Sequence, residues 1–357
     1  RGGRRRRAVT TPAPAPATPL APGFEHTERY TSVEQEYAAI RGAAALQDRS
    51  ARFRILFAGA QPAETLTGLL TNDVLALRPG TGHYAAALTA KGKIIADVRV
   101  FARADDFLVD APEAAGPGFA VMLRKFVNPR LTKFVDVSTV MRTIGVFGPR
   151  ARAVLARVFA AEGATLASLP PYHHVTLALD GTRVLAVSAP DLGLEGFDLF
   201  VPVEAALALW SRLLREGAVP AGSAAADIAR VEAGRPLWGT DMDDSTLAAE
   251  ANLDALGGIS FTKGCYTGQE TVARVHFRGH VNRALRGVMS AVPMPRGAQL
   301  HGPDGQPCGG VRSSVVSPRL GPIAIAMLRR EVPSGSEVPA RWDGGECVAR
   351  VCELPFG

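Results

Sequence analysis

The stretch from Lys263 to Glu270 reads Lys-Gly-Cys-Tyr-Thr-Gly-Gln-Glu and combines a cation, a thiol, two glycines and a carboxylate. A thiol acts as a nucleophile or ligand only as the thiolate, and a nearby ammonium group favours that form. Lys263 lies two positions from Cys265, and the two glycines permit a turn that brings these side chains together. The spacing predicts a cysteine activated by Lys263. An inert structural cysteine, or a Cys–His pair with His276 or His280, is the alternative.

The same octapeptide, followed by Val-Ala-Arg at 272–274, resembles the signature of the folate-binding YgfZ family. That family includes iron–sulfur assembly factors and is related to the aminomethyltransferase (T-protein) of the glycine cleavage system. Further blocks agree with the family in chain order: Thr-Asn-Asp-Val at 71–74, Arg-Val-Glu-Ala-Gly at 230–234 and Ser-Pro-Arg-Leu at 317–320. The resemblance covers most of the chain. It implies an α+β, aminomethyltransferase-like folate-binding fold of two α+β domains plus a small C-terminal β-barrel domain.

The resemblance also implies a cofactor, tetrahydrofolate or a derivative of it, and candidate residues that bind it. Asp198 occupies the position of the pterin-binding glutamate of the T-protein, and Glu195 is the neighbouring alternative. Arg230 matches the arginine that contacts the cofactor, although a structural role at a helix end is the alternative. Tyr84 and Asn72 belong to a matching segment and complete the set of cofactor-binding candidates.

A third catalytic candidate, beside Cys265 and Lys263, is Asp97. The T-protein uses an aspartate in a Gly-x-Ile-x-Asp-Asp segment, and here only the second acid is present, because position 96 is an alanine. Successive side chains on a strand point to opposite faces. Asp97 is therefore not expected to replace the missing acid. The resemblance thus implies folate binding, with the chemical role shifted from Asp97 to Cys265.

Composition excludes several classes of function. The formal net charge of the 357 residues is +6, but five arginines in residues 1–23 leave a nearly neutral remainder, so no direct nucleic-acid binding is expected. This Arg-, Pro- and Ala-rich tail is predicted to be disordered. The four cysteines form no Cys-x-x-Cys pair, and no apolar run is long enough for a membrane span, so neither a metal site nor a membrane is expected. Scattered cysteines in a large chain favour the cytoplasm, with a mitochondrial or plastid matrix as the alternative.

Local patterns predict the elements that must position these residues. Two strand–turn–helix units, at 53–70 and 141–159, indicate two related α+β halves. From residue 283, short alternating runs separated by Asp-Gly and Ser-Gly turns predict an all-β domain. The predicted division is a tail at 1–23, a folate-binding region at 24–282 with approximate halves 51–139 and 140–282, and a barrel at 283–357.

Three functions follow from these observations. The leading hypothesis is a tetrahydrofolate-binding accessory protein for iron–sulfur cluster assembly or repair, which supports iron–sulfur enzymes, including tRNA-modifying ones, through Cys265. Its partners would be folate and iron–sulfur client or assembly proteins. The second is a folate-dependent aminomethyl or one-carbon transferase, and the third is a non-enzymatic folate-binding docking module.

Overall fold

The structure, a computed structural model, describes residues 27–160 and 163–357. The predicted disordered tail at residues 1–23 lies outside the described residues. The described chain forms two sheets that carry helices, followed by a closed six-stranded barrel. The predicted α+β fold with a C-terminal β-barrel is confirmed. The exact domain boundaries stay predictions.

The helices and strands alternate through the first two thirds of the chain, and strands dominate the last third. The α-helices are α1 (Val33–Gly42), α2 (Pro62–Leu69), α3 (Gly116–Phe126), α4 (Ala151–Val158), α5 (Val203–Arg215), α6 (Ser223–Glu232) and α7 (Gln269–Arg278). The strands of the two sheets are β1 (Ala45–Asp48), β2 (Arg52–Gly59), β3 (Gly82–Leu88), β4 (Ile94–Ala102), β5 (Phe107–Pro112), β6 (Thr132–Asp136), β7 (Met141–Phe147), β8 (His174–Leu179), β9 (Thr182–Ser188), β10 (Gly196–Pro202) and β11 (Val219–Pro220). The strands of the barrel are β12 (Arg283–Ser290), β13 (Gln299–His301), β14 (Pro307–Ser317), β15 (Gly321–Arg329), β16 (Glu337–Trp342) and β17 (Gly345–Cys352).

The first sheet has the order β3-β4-β5-β2-β6, and all its neighbouring strands are antiparallel. On β4 the side chains of Ala96, Val98 and Val100 join the apolar core that α2 and α3 cover. Asp97 and Arg99 point to the opposite face, because side chains alternate along a strand. One strand therefore supplies both a core face and a polar face.

The second sheet has the order β11-β1-β7-β10-β9-β8 and contains one parallel pair, β1 with β11. Helices α4 and α5 cover one of its faces, where α5 buries Leu209, Trp210 and Leu213. Strand β1 comes before β2 in the chain but pairs with β7 and β11. The N-terminal segment thus crosses from the second sheet to the first immediately before β2.

Both predicted strand–turn–helix units are confirmed, as β2 followed by α2 and as β7 followed by α4. The predicted barrel turns are all present, but only those at Gly305 and Gly344 close hairpins, because β15 and β16 on either side of Gly335 are not neighbours in the barrel. Gly305, Gly335 and Gly344 have positive φ values between consecutive barrel strands. A residue without a side chain adopts this conformation at no steric cost, so glycine suits each of these three turns.

The two sheets and the barrel meet at a shared apolar cluster. Phe101 from the first sheet and Phe200 from the second pack edge to face with ring centroids 5.6 Å apart. Val231 of α6 and Ile325 of the barrel complete the junction. The polar face of the first sheet is thereby enclosed between the other two units. None of the described helices is long and apolar enough to cross a membrane.

Candidate functional site

A cavity of about 220 Å³ opens where the two sheets meet the segment that follows α6. The ends of β1 and β2, the polar faces of β3 and β4, and the loops around Tyr172 and Asp191 contribute its walls. The cavity lining includes these polar and aromatic side chains: Gln47, Arg49, Arg52, Tyr84, Asp97, Arg99, Tyr172, Asp191, Arg230, Arg235 and Trp238. Strands β3 and β4 form the floor of the cavity, and the segment after α6, at residues 235–238, forms the opposite wall.

Asp97 presents its carboxylate to this cavity. The Tyr84 hydroxyl donates to Asp97 Oδ2 at 3.0 Å, while Oδ1 is shielded from solvent and has no hydrogen-bond partner among the described residues. Burial raises the pKa of Asp97, and the nearby charge of Arg52 and the hydrogen bond from Tyr84 oppose that rise. A carboxyl group with a raised pKa and one unoccupied oxygen can accept, hold and return a proton.

The placement of Asp97 corrects the sequence argument about the missing acid. Ala96 is fully buried in the core between the sheet and α3, whereas Asp97 lies on the cavity face. An acid at position 96 would point into an apolar core. The side chain that the strand retains is therefore the one that faces the cavity, which removes the geometric objection to Asp97, and its catalytic role stays a prediction.

Two tyrosines form a flat wall beside Asp97. The rings of Tyr84 and Tyr172 stack with centroids 6.2 Å apart and planes 13° apart. Asn72 does not line the cavity. Its Nδ2 donates at 2.9 Å to the carbonyl oxygens of Tyr84 and Gly257, so it ties β3 to a later loop. Of these two predicted cofactor-binding residues, Tyr84 lies at the cavity and Asn72 positions it.

A bed of ion pairs lies beneath the cavity floor. Arg99 pairs with Asp110, Asp191 and Asp198, and Arg49 pairs with Asp191 and Asp198. Asp198 is completely buried, 2.5 Å from Arg99 Nη1, and does not line the cavity. The structure thus places the predicted pterin ligand behind the arginines, where it fixes them.

Glu195, the alternative to Asp198, lies elsewhere. It forms an ion pair with Arg152 at 2.8 Å, and about a third of each side chain is exposed. Glu195 is not among the residues that line the cavity.

Arg230 lines the cavity, but its guanidinium is already engaged by protein groups. It pairs with Asp241 at 2.8 Å and with Asp227 at 2.7 Å, and it donates to Ser313 Oγ of the barrel at 2.7 Å. It also donates to the carbonyl oxygen of Arg235. Arg230 therefore joins α6, the following loop and the barrel.

The predicted pair of Lys263 and Cys265 is not formed. Lys263 is buried, and its ammonium group donates to the carbonyl oxygens of Thr67, Leu70 and Asn72. Its three N–H donors are therefore used, and burial lowers its pKa to about 8. Cys265 is exposed. The prediction that Lys263 activates the thiol was wrong, because the lysine anchors the segment to the end of α2.

Several cavity residues were missed by sequence reasoning. They are Gln47, Arg49, Arg52, Arg99, Tyr172, Asp191, Arg235 and Trp238. One signal was available. On β4 the apolar residues at 96, 98 and 100 alternate with Asp97 and Arg99, which indicates a strand with one core face and one polar face. No local signal marks the loop residues, because they follow a helix in an irregular segment.

The fold and the cavity define a three-part α+β protein with a cavity where its two sheets meet. Two family models match the chain: the GCVT N-terminal domain at residues 13–259 and the glycine cleavage T-protein C-terminal barrel domain at residues 283–356. The chain therefore belongs to the glycine cleavage T-protein, or aminomethyltransferase, family. Its narrower membership in the YgfZ group stays a prediction.

Individual relatives agree with this family. The aminomethyltransferase of Rubrobacter xylanophilus is 30% identical over 94% of this chain and 88% of its own length. That of Bordetella petrii is 31% identical over 94% and 90%. The crystal structure of aminomethyltransferase T from Bartonella henselae shares the fold, with a TM-score of 0.82, 24% identity and coverage of 91% and 90%. The family binds tetrahydrofolate, so the predicted cofactor is confirmed at the level of the family.

Proposed function

We propose that this protein is a folate-dependent one-carbon transferase of the aminomethyltransferase type. The observation that carries the proposal is the carboxylate of Asp97, which faces the central cavity with one oxygen held by Tyr84 and the other without a partner among the described residues. The relatives are named aminomethyltransferases, which favours this function over the leading sequence hypothesis of iron–sulfur support.

The cavity residues fit a reduced folate. Asp97 Oδ1 and Gln47 Oε1 are shielded acceptors, and Trp238 Nε1 is a shielded donor; none of the three has a partner among the described residues. A pterin ring is flat and has several N–H groups along its edge, so it matches both these acceptors and the wall of stacked tyrosines. When bound, tetrahydrofolate supplies the nitrogen atoms that accept the one-carbon unit.

The chain itself contributes a proton carrier and a rigid frame. Asp97 takes and returns a proton at Oδ1, and its raised pKa brings the protonated and ionised forms closer in free energy at neutral pH. Tyr84 holds Oδ2 and so fixes the direction of Oδ1. The ion pairs of Arg99 keep the floor of the cavity in place beneath the ligand. In this proposal Asp97 is the catalytic residue and Tyr84 positions it.

Asp97→Asn tests the proposal because it keeps the shape of the side chain and removes its titration. We expect glycine-dependent formation of methylene-tetrahydrofolate, measured in a reconstituted glycine cleavage system, to fall about 10²- to 10⁴-fold, the range for a lost general acid–base group. Tetrahydrofolate affinity should change far less. The control is Asp105→Asn, an exposed acid at the β4–β5 turn. Unchanged turnover in Asp97→Asn, or a wild-type protein that does not bind tetrahydrofolate, would contradict the proposal.

Support of iron–sulfur enzymes is the second candidate function, and the exposed thiol of Cys265 within the YgfZ-like octapeptide favours it. In that case the iron–sulfur clients would meet the surface around Cys265. Cys265→Ser separates the two candidates. The transferase predicts unchanged methylene-tetrahydrofolate formation, whereas iron–sulfur support predicts that a cellular iron–sulfur enzyme loses activity under oxidative stress. A docking module without catalysis predicts folate binding and no turnover.

A further inference from the structure

Tyr172, at the edge of the cavity, has a backbone conformation that its side chain disfavours. Among the described residues, three that are not glycine have a positive φ: Asp180, Asn252 and Tyr172, whose φ is +64°. Aspartate and asparagine adopt this left-handed region more readily than other residues, whereas a bulky side chain there is an outlier. Such a conformation persists only where the surrounding structure over-determines it, and such residues concentrate at functional sites.

The surrounding backbone holds Tyr172 in this conformation. Its N–H donates to the carbonyl oxygen of Ser188 at 2.8 Å, and the N–H of Ser188 donates to the carbonyl oxygen of His173 at 2.9 Å. The carbonyl oxygen of Tyr172 lies so close to β3 that a Cβ atom on Gly82 would approach it to 2.7 Å. The segment is therefore fixed between the end of β9 and the first sheet.

The ring that this backbone carries lies against Tyr84. The two rings stack with centroids 6.2 Å apart and planes 13° apart. Tyr84 has a second close neighbour, because a Cβ atom on Gly258 would lie 3.0 Å from its Cδ1 atom. Two separate loops therefore restrict the rotation of the Tyr84 side chain.

Tyr84 is the donor that orients Asp97. Burial and the nearby charge of Asp97 raise the pKa of Tyr84 well above its ordinary value, so its hydroxyl keeps the proton. That hydroxyl donates to Asp97 Oδ2 at 3.0 Å, and Asp97 Oδ1 has no partner among the described residues. A rotation of the Tyr84 ring would weaken or break this hydrogen bond. The direction of Oδ1 therefore depends on what packs against Tyr84.

We infer that Tyr172 is a positioning residue of this site: its ring, carried by a left-handed backbone, holds the Tyr84 hydroxyl on Asp97 Oδ2 and so fixes the direction of Asp97 Oδ1. The inference rests on the proposed function, in which Asp97 carries the proton. The hydroxyl of Tyr172 has a different partner, because it hydrogen-bonds with Arg235. The positioning role therefore belongs to the ring of Tyr172 and not to its hydroxyl.

Tyr172→Leu tests this role because leucine is apolar and fills much of the same space, but lacks the flat ring. We expect kcat for methylene-tetrahydrofolate formation, measured with saturating tetrahydrofolate in the reconstituted system, to fall about 10- to 100-fold, since a misplacement of about 1 Å can cost about 100-fold. Tyr172→Phe keeps the ring and should stay within about threefold of wild type. Tyr30→Leu is the matched control, because it removes a ring that packs on Trp210 away from the cavity.

A double-mutant cycle tests whether Tyr172 acts through Tyr84. Tyr84→Phe removes the hydroxyl that holds Asp97. In that background Tyr172→Leu should lower kcat by no more than about twofold, whereas two independent sites would multiply their effects. Multiplied effects overturn the inference. A tetrahydrofolate Kd that rises while kcat is unchanged also overturns it by assigning Tyr172 to ligand binding. An equal loss of kcat in Tyr172→Phe overturns it by assigning the role to the hydroxyl.

An NMR titration of the Asp97 carboxyl carbon gives a readout that is independent of turnover. The aspartates are labelled with carbon-13, and the signal absent from Asp97→Asn is that of Asp97. Burial raises the pKa of Asp97, and the charge of Arg52 and the hydrogen bond from Tyr84 oppose the rise. Tyr84→Phe and Tyr172→Leu should therefore both raise this pKa further, because each weakens the hydrogen bond. The charges of Arg52 and Asp191, which also act on Asp97, are present in every variant.

The titration separates the inference from the proposed function. A pKa of Asp97 that does not rise in Tyr172→Leu, or that rises by the same amount in the Tyr84→Phe background, overturns the inference. A wild-type protein that binds no tetrahydrofolate contradicts the proposed function, while the titration still decides whether Tyr172 holds the pair of Tyr84 and Asp97. A thermal melt establishes that each variant is folded. If Tyr172→Leu is not folded, Tyr172→Met takes its place, because methionine adapts to irregular apolar space.

Discussion

The cavity wall at Asp97 and the ion-pair bed around Asp110 put the same residue type in opposite electrostatic settings on neighbouring strands. Asp97 has Tyr84 as its only hydrogen-bonded side-chain partner among the described residues, and burial raises its pKa. Burial acts on Asp110 too, but the charges of Arg52, Arg99 and Arg54 outweigh it and lower the pKa below 3.8. The neighbours, and not the residue type, decide that the pKa of one carboxylate rises and that of the other falls.

The strongest test of this contrast removes the charge of the structural carboxylate. Asp110→Asn leaves the buried Arg54 and Arg99 without this partner. We expect a loss of about 3–5 kcal/mol in the free energy of unfolding, measured by urea denaturation. Asp105→Asn, on the exposed turn between the same strands, should stay within about 0.5 kcal/mol. A small change in the free energy of unfolding in Asp110→Asn would show that the ion pairs around Asp110 contribute little to stability.

Lys263 is a buried cation that is held by backbone carbonyl oxygens, whereas the arginines around Asp110 are held by carboxylates. Lys263→Met removes the donor shared by three backbone carbonyl oxygens near the end of α2. We expect the free energy of unfolding to fall by about 1–3 kcal/mol, the cost of leaving buried acceptors unsatisfied. Cys265→Ser, two positions away and exposed, should change it by less than about 0.5 kcal/mol. Equal effects of the two substitutions would contradict the anchoring role of Lys263.

The contributions of Asp97 and Asp110 to the free energy of unfolding should change in opposite directions with pH. The native pKa of Asp97 is raised, so the native state binds more protons than the unfolded state as the pH rises from 3.8, and this residue lowers stability across that window. Asp97→Asn should therefore gain stability relative to wild type as the pH rises. The native pKa of Asp110 is lowered, so its stabilising contribution is present above 3.8 and is lost as the pH falls through the native pKa. Denaturant unfolding of wild type, Asp97→Asn and Asp110→Asn from pH 3 to pH 8 measures both contributions. If both variants change with pH in parallel with the wild type, the contrast is refuted.

Arg52 links the two regions and gives the smallest expected effect. It pairs with Asp110 at 2.6 Å, and its charge also lowers the pKa of Asp97. Arg52→Gln should move the limb of the kcat/KM profile that reports Asp97 to higher pH, because the ionised carboxylate loses a favourable charge. Arg52→Lys keeps the charge and should leave that limb in place. An unmoved limb in Arg52→Gln would indicate that Arg52 does not reach Asp97 electrostatically.

Local sequence signals predicted the elements better than the partners of particular side chains. The glycines at 305, 335 and 344 marked turns of the barrel, of which those at 305 and 344 close hairpins, and the alternation along β4 marked a strand with a polar face. The same alternation did not reveal that Asp97 lies on the face that borders the cavity. The period of a strand gives two faces but does not say which one borders a cavity.

The octapeptide at 263–270 also shows that local sequence does not reveal which groups a side chain will contact. Its residue types are conspicuous, yet Lys263 binds carbonyl oxygens that lie more than 190 positions earlier in the chain. Trp238 is inconspicuous in sequence, but it lines the central cavity with an indole N–H that has no partner among the described residues. Whether a charged side chain is free or used depends on groups that are distant in the chain.

The sequence by itself determined the family, the α+β fold with its C-terminal barrel, and the cofactor class, because these rest on motifs and on patterns with short periods. Only the tertiary structure decided which acid faces the cavity, which arginines are neutralised and what Lys263 binds. Each of those outcomes depends on the close approach of segments from different sheets. Such contacts change the pKa and the availability of a group without changing the local sequence around it.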